Sequence, residues 1–259
     1  MKMLERRTFC VALAAAGLSA ARSRAANSLA DVRVAAASDL KFALAELAAR
    51  YERETGQRVQ LNLGSSGNFA QQIRQGLPVD LFMSADEAFV LQLADAGLTQ
   101  DRGVLYALGR IAAIVAAVSP IGLDAQLHGL RASWSSVTSL AMANPEHAPY
   151  GRAAQQALQR LDLWELVKNK LVLGENIAQT TQFVTSGAAQ AGITALSLAL
   201  APEVARAVRH VVLPAALHEP LRQRMVLLKG ASAQAAGFYR YVQGPDAKAV
   251  LSRHGFAFE

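Results

Sequence analysis

Cysteine is almost missing from this chain: Cys10 is the single one in 259 residues. That excludes a disulfide framework and cysteine-built metal sites, and it leaves no thiol nucleophile beyond the N-terminal segment. The five histidines, His128, His147, His210, His218 and His254, show no His-Glu-x-x-His spacing, so no metal-cation centre is expected. Aromatic residues make up only 6% of the chain. Trp134, Trp164 and the scattered phenylalanines read as packing, not as a base-stacking platform. A Gly-x-Ser-x-Gly elbow is absent too, and Gly64-Ser65-Ser66-Gly67-Asn68 does not supply one, which argues against a hydrolase.

Positive charge is scarcer than the net +6 implies. Residues 1–25 hold Lys2, Arg6, Arg7, Arg22 and Arg24 against Glu5, and without them 21 basic residues face 19 acidic ones. The inference from a basic chain to nucleic acid therefore loses its support. The same 25 residues have the form of an export signal: basic residues, an apolar run over 9–21, then small residues around Ala25. The run is too short to span a bilayer. Cleavage is expected near Ala25 or Ala26. Arg6-Arg7-Thr8-Phe9 leaves both the twin-arginine and the general export route open.

The whole chain is 52% hydrophobic, and what remains is long enough to bury one large or two modest cores. Val32-Arg33-Val34-Ala35-Ala36-Ala37 reads as a strand and residues 40–51 as a helix, joined through Ser38 and Asp39. An alternating run over 59–63 leads through Gly64-Ser65-Ser66-Gly67-Asn68 to a helix over 69–75. Residues 78–84 and 85–96 repeat the strand and helix. The apolar stretch 105–118, broken at Gly109 and Arg110, reads as a strand leaving one lobe and entering another. There, residues 139–144 run through Pro145-Glu146-His147-Ala148-Pro149-Tyr150-Gly151 into a helix over 152–161. Residues 170–174 run through Glu175-Asn176 into a helix start at Ile177. A strand over 191–196 follows, 210–214 returns the chain toward the first lobe, and 224–228 and 233–242 close the pattern. Alternating strands and helices imply parallel sheets with helical cover.

The strand-to-helix turns share one chemistry. Glycines let the backbone approach a ligand, serines add donors, and a helix start offers unpaired N–H groups at a partially positive end. No Lys or Arg lies between Val59 and Ile73. Such a turn is an anion cradle of neutral dipoles, or else a helix N-cap with spare serines. Repetition of the device favours the cradle, since ligands of open α/β sheets sit beyond the carboxyl ends of the strands.

Read in order, Ala35-Ala36-Ala37-Ser38-Asp39-Leu40, Gly64-Ser65-Ser66-Gly67, Asp80-Leu81-Phe82-Met83-Ser84-Ala85-Asp86, Asn144 to Gly151, Gly187-Ala188-Ala189 and the closing 248–258 segment resemble the periplasmic molybdate-binding protein family, the solute receptors of ABC importers. The resemblance runs from about Val32 to Phe258. It implies an α/β fold of the type II periplasmic-binding-protein kind, two Rossmann-like lobes with a ligand cleft between them. Lobe 1 would comprise residues 31–108 and 214–259, and lobe 2 residues 109–213. It further implies a monomer with no cofactor and no catalytic residue that holds molybdate or tungstate and meets a membrane permease transiently in the periplasm. Carried over by position, the contacts are Ser38 and Ser66 through hydroxyl and N–H, and Tyr150 and Ile177 through N–H. Two departures stand out. One branch of the family has a tyrosine where Ala195 stands, and another has an asparagine where Asp39 stands. The Asp39 carboxylate would either turn away to cap the helix, leaving its N–H for the ligand, or accept a proton from an oxyanion such as phosphate or arsenate.

Overall fold

Val32–Ala37 (β1) is an apolar strand covered on both faces, as the centre of a parallel sheet requires. The computed structural model describes residues 31–259. The expected export signal, its cleavage site and Cys10 lie outside the described residues. After β1 come a single 3-10 turn, Ser38–Leu40, and the helix Lys41–Thr55 (α1), which ends at Gly56. The chain continues through Val59–Gly64 (β2), Ser66–Arg74 (α2), Leu81–Ser84 (β3), Glu87–Asp95 (α3) and Val104–Gly109 (β4). One residue, Arg110, separates β4 from Ile111–Ala116 (β5). The second half holds His128–Ala132 (α4), Leu140–Ala143 (β6), Pro149–Arg160 (α5), Trp164–Val167 (α6), Leu171–Gly174 (β7), Ile177–Thr185 (α7), Ala191–Ala195 (β8), Leu196–Ala199 (α8), Pro202–Ala205 (α9) and Val208–Val212 (β9). Leu221–Leu227 (β10), Ala233–Val242 (α10) and Pro245–Arg253 (α11) complete the chain.

Two five-stranded mixed sheets result, ordered β2-β1-β3-β10-β4 and β7-β6-β8-β5-β9. Both follow one plan. Three parallel strands are followed by an antiparallel fourth, and that fourth strand arrives by a crossing between the sheets. β5 enters the second sheet directly from β4, and β10 re-enters the first after residues 213–220. The two-lobed type II architecture is thus present. Residues 208–212 form a strand of the second sheet, paired with β5, so the return to the first sheet begins after the segment expected for it.

The helix expected from Phe69 starts three residues earlier, and the one expected from Ala85 starts at Glu87. Asp86 explains the latter, since its carboxylate accepts the Ala88 N–H at 2.8 Å and so caps α3. The first lobe is filled by Leu44, Leu47, Met83 and Phe238, with Tyr51 edge-on to Phe238 at 5.2 Å. The second is built on Ile111, Leu140, Met142 and Leu158. Each such side chain, fully buried, contributes about 1.5–3 kcal/mol. Ala37 and Ala85, at the carboxyl ends of β1 and β3, pack into the core of the second lobe. The lobes therefore meet where the parallel strands end.

Candidate functional site

Every parallel strand facing this seam ends in a turn that starts a helix, and the turns hold one another. At the end of β1, Ser38 Oγ donates to Asn176 Oδ1 at 3.1 Å and accepts the Ala178 N–H at 3.2 Å. Asn176 is the N-cap of α7, and its Oδ1 also takes the N–H groups of Ala178 and Gln179. A serine of one lobe is thereby wired to a helix start of the other.

At the end of β2, Ser65 is the N-cap residue of α2 by backbone conformation, yet its hydroxyl makes no cap bond. It donates instead to the His147 carbonyl of the opposite lobe at 2.5 Å, and the same carbonyl accepts the Gly67 N–H at 3.0 Å. His147 Nδ1 lies 3.0 Å from Ser65 Oγ and its Nε2 3.6 Å from Glu175. His147 thus sits in the turn before Tyr150 and also meets the opposite lobe. Ser66 Oγ accepts the Ala85 N–H at 2.9 Å, which leaves its own proton free to donate elsewhere.

The helix α5 starts with Pro149 at its first position, where no N–H is needed, and Tyr150 follows. The Tyr150 phenol donates to Asp39 Oδ2 at 2.9 Å, and Gln223 Nε2 reaches the same oxygen at 2.6 Å. Gln223 Oε1 in turn accepts from the Tyr106 hydroxyl at 2.6 Å. A bulge in the β10–β4 ladder falls at Gln223/Arg224, beside this cluster. Gly109 leaves room for it: a Cβ there would sit 2.4 Å from the Tyr150 hydroxyl oxygen. The Asp39 carbonyl accepts from Ser197 Oγ at 2.8 Å.

Of the two alternatives for Asp39, these contacts overturn the helix cap. Its carboxylate caps no helix and holds Tyr150 and Gln223, because it points into the seam between the lobes and not along α1. Oδ1 is buried with no hydrogen-bond partner. Burial pushes the Asp39 carboxyl up to about 6, against the pull of the Gln223 and Tyr150 hydrogen bonds and a weaker pull from the N–H groups of Asp39 and Leu40. Burial beside this carboxylate also pushes the Tyr150 phenol well above its ordinary range.

Ser38, Asp39, Ser66, Tyr150 and Ile177 all line one small cavity of about 10 Å³. The structure therefore brings together all five positions singled out in the sequence. As residues of a first helical turn, Ser66, Tyr150 and Ile177 have N–H groups without a partner inside the helix. Among the described residues, no Lys, Arg or His lines the cavity. The nearest interlobe ion pair, Arg152 with Asp86, lies beside a separate groove along α5. Among the described residues, no group of three or more His, Cys, Asp or Glu is placed to hold a metal cation. An open groove of about 560 Å³ adjoins the cavity at Ser38 and runs past Lys41, Phe42 and Gln179.

Sequence reasoning missed Ser65, Gln223, Tyr106 and Ser197. Gln223 had a signal: it sits in phase with Leu221 and Met225 on the buried face of β10, where an amide must find partners. Tyr106 and Ser197 had none, because their partners lie 117 and 158 residues away.

Comparison with known proteins agrees with this geometry. The model of the bacterial extracellular solute-binding protein family matches residues 32–257. The molybdate-binding protein ModA of Azotobacter vinelandii is 34% identical over 94% of this chain and 95% of its own length. ModA of Escherichia coli K12 is 30% identical over 94% and 96%. The solved structure of the Azotobacter vinelandii periplasmic molybdate-binding protein superposes with a TM-score of 0.81 at 28% identity, covering 88% of this chain and all of that one.

Proposed function

The chain belongs to the bacterial extracellular solute-binding protein family, and from that premise we propose that it is the molybdate receptor of an ABC importer, acting in the periplasm after its export signal is removed. It is a transport protein and not an enzyme. Lobe 1, residues 31–108 and 214–259, and lobe 2, residues 109–213, close on the anion as two bodies. The permease recognises the closed arrangement.

The observation that carries the proposal is the convergence of Ser38, Asp39, Ser66, Tyr150 and Ile177, from both lobes, on one cavity without a cation. A buried dianion is costly unless each oxygen regains hydrogen bonds. Donors to a charged group contribute about 1.5–3 kcal/mol each, and the helix starts add their positive ends. Ser66 supplies a hydroxyl proton, Ser38 turns its own from Asn176 to the anion, and N–H groups come from Ser38, Asp39, Ser66, Tyr150 and Ile177.

Selectivity follows from size and protonation. Tungstate matches molybdate in charge and dimensions, sulfate is smaller, and hydrogen phosphate carries an O–H that needs an acceptor. Titration calorimetry should give molybdate and tungstate dissociation constants near or below about 1 μM, some 8 kcal/mol of binding free energy, with sulfate roughly 100-fold weaker. Sulfate binding as tightly as molybdate defeats the size argument. Tight phosphate binding replaces the assignment with a phosphate or arsenate receptor in which Asp39 accepts the ligand proton.

A further inference from the structure

Among the described residues, Asp39 is the only one lining the cavity whose side chain carries charge near neutral pH, and it has the sign of the proposed ligand. The carboxylate is deeply buried. Oδ2 already accepts two hydrogen bonds, from Tyr150 and Gln223, while Oδ1 has no partner. Resting on the oxyanion-receptor assignment above, we propose that capture of the dianion takes up one proton from solvent, held on Asp39 Oδ1 in the closed complex.

The driving force is like-charge repulsion inside a water-poor seam. Two anions sharing one cavity raise the affinity of the carboxylate for a proton, and the only acceptor site left on it is Oδ1. One O–H bond forms there, the buffer acid loses the proton, and the complex gains one unit of positive charge relative to direct addition. Lone Asp39 already sits near the switching range, its carboxyl pushed up to about 6, so a modest further push neutralises it at neutral pH.

The surroundings supply no competing cation. α1 brings Lys41, whose ammonium lies over the Phe42 ring at 5.0 Å. α5 brings Tyr150 itself and Arg152, which turns to Asp86. β4 brings Tyr106, and β10 brings Arg222 and Arg224, both paired with Glu87. On β1, Arg33 is paired with Asp80. No ionisable side chain comes from β2, α7 or α8. His147, through Ser65 and Glu175, is the remaining titratable group beside the cavity.

Calorimetry of molybdate binding at about pH 7.5, repeated in buffers of different ionisation enthalpy, reads the proton stoichiometry directly. Uptake should approach one proton per anion, and affinity should fall toward about tenfold per pH unit as pH rises above about 7. The Asp39→Asn protein should bind with no uptake and a flat pH profile. Zero uptake in the wild type overturns the proposal, and so does uptake that persists in Asp39→Asn. Should Asp39→Asn fail to fold, Tyr150→Phe decides. It keeps the backbone N–H but removes one hydrogen bond to the ionised carboxylate, so the onset of pH dependence must move upward, and an unmoved onset overturns the proposal. Failure of the wild type to bind molybdate at any pH instead removes the receptor assignment.

Discussion

Gly67→Ala should weaken molybdate binding by about 10- to 100-fold and change the stability of the unliganded protein by no more than about 1–3 kcal/mol, an interlobe overlap set against a gain within its helix. The added Cβ would lie 2.6 Å from the His147 carbonyl oxygen and 3.0 Å from its Cα, both backbone atoms of the opposite lobe. Backbone cannot yield as a side-chain tip does. Relieving the overlap means backing the lobes apart, and an overpacked contact of this kind costs about 1–3 kcal/mol. The bond from the Gly67 N–H to that carbonyl lengthens at the same time. All three of the nearest contacts belong to His147, so the penalty falls on the contact between the lobes. Within its own helix α2 the substitution helps, since alanine is favoured over glycine by roughly 0.5–1 kcal/mol. Calorimetric titration and a melting curve on the same sample check both halves. Unchanged affinity would show that the lobes need not approach this closely around the ligand.

The second large effect concerns stability and its dependence on pH. Asp39→Asn should stabilise the unliganded fold at pH 7 to 8 by about 1–3 kcal/mol, with the gain shrinking toward nothing near pH 4. Burial raises the folded-state Asp39 carboxyl from an ordinary 3.8 to about 6. The stabilising contribution of the protonated acid is thus fully present below about pH 4 and is lost as pH rises through about 6. A shift of about two pH units corresponds to about 3 kcal/mol. Asparagine keeps an oxygen for Tyr150 and Gln223 and carries no charge. In a chain of this size each kcal/mol moves the melting temperature by about 2–4 °C, so melting curves at two pH values resolve it. A gain of the same size at both pH values would show that the buried charge is not its cause.

Both predictions turn on residues whose meaning changed between sequence and structure. Gly67 was visible as part of a glycine-serine turn between a strand and a helix, but the helix begins at Ser66 and carries Gly67 against the other lobe. Asp39 stood at a helix start, where capping is the common use of aspartate, and its partners turned out to be Tyr150 and Gln223, 111 and 184 residues away. The order of strands and helices and the crossing at Arg110 were legible because each has a local signature, apolar periodicity or a glycine break, whereas the five cavity positions came from the family resemblance laid onto polar turns after strands. The short helices α8 and α9 and the late return to the first sheet were not, because four-residue helices carry no period to read.

By itself the sequence determined that this is an α/β chain with repeated donor-rich turns, no thiol chemistry in the described part and no cationic cradle. Those properties depend only on which residue types follow one another. Only the tertiary structure decided which turns meet, that Ser65 reaches across to His147 and not along its own helix, and that a carboxylate lines the cavity between the lobes. Burial and long-range hydrogen bonds are properties of the packed lobes, and they set the charge state of Asp39 as its identity alone could not.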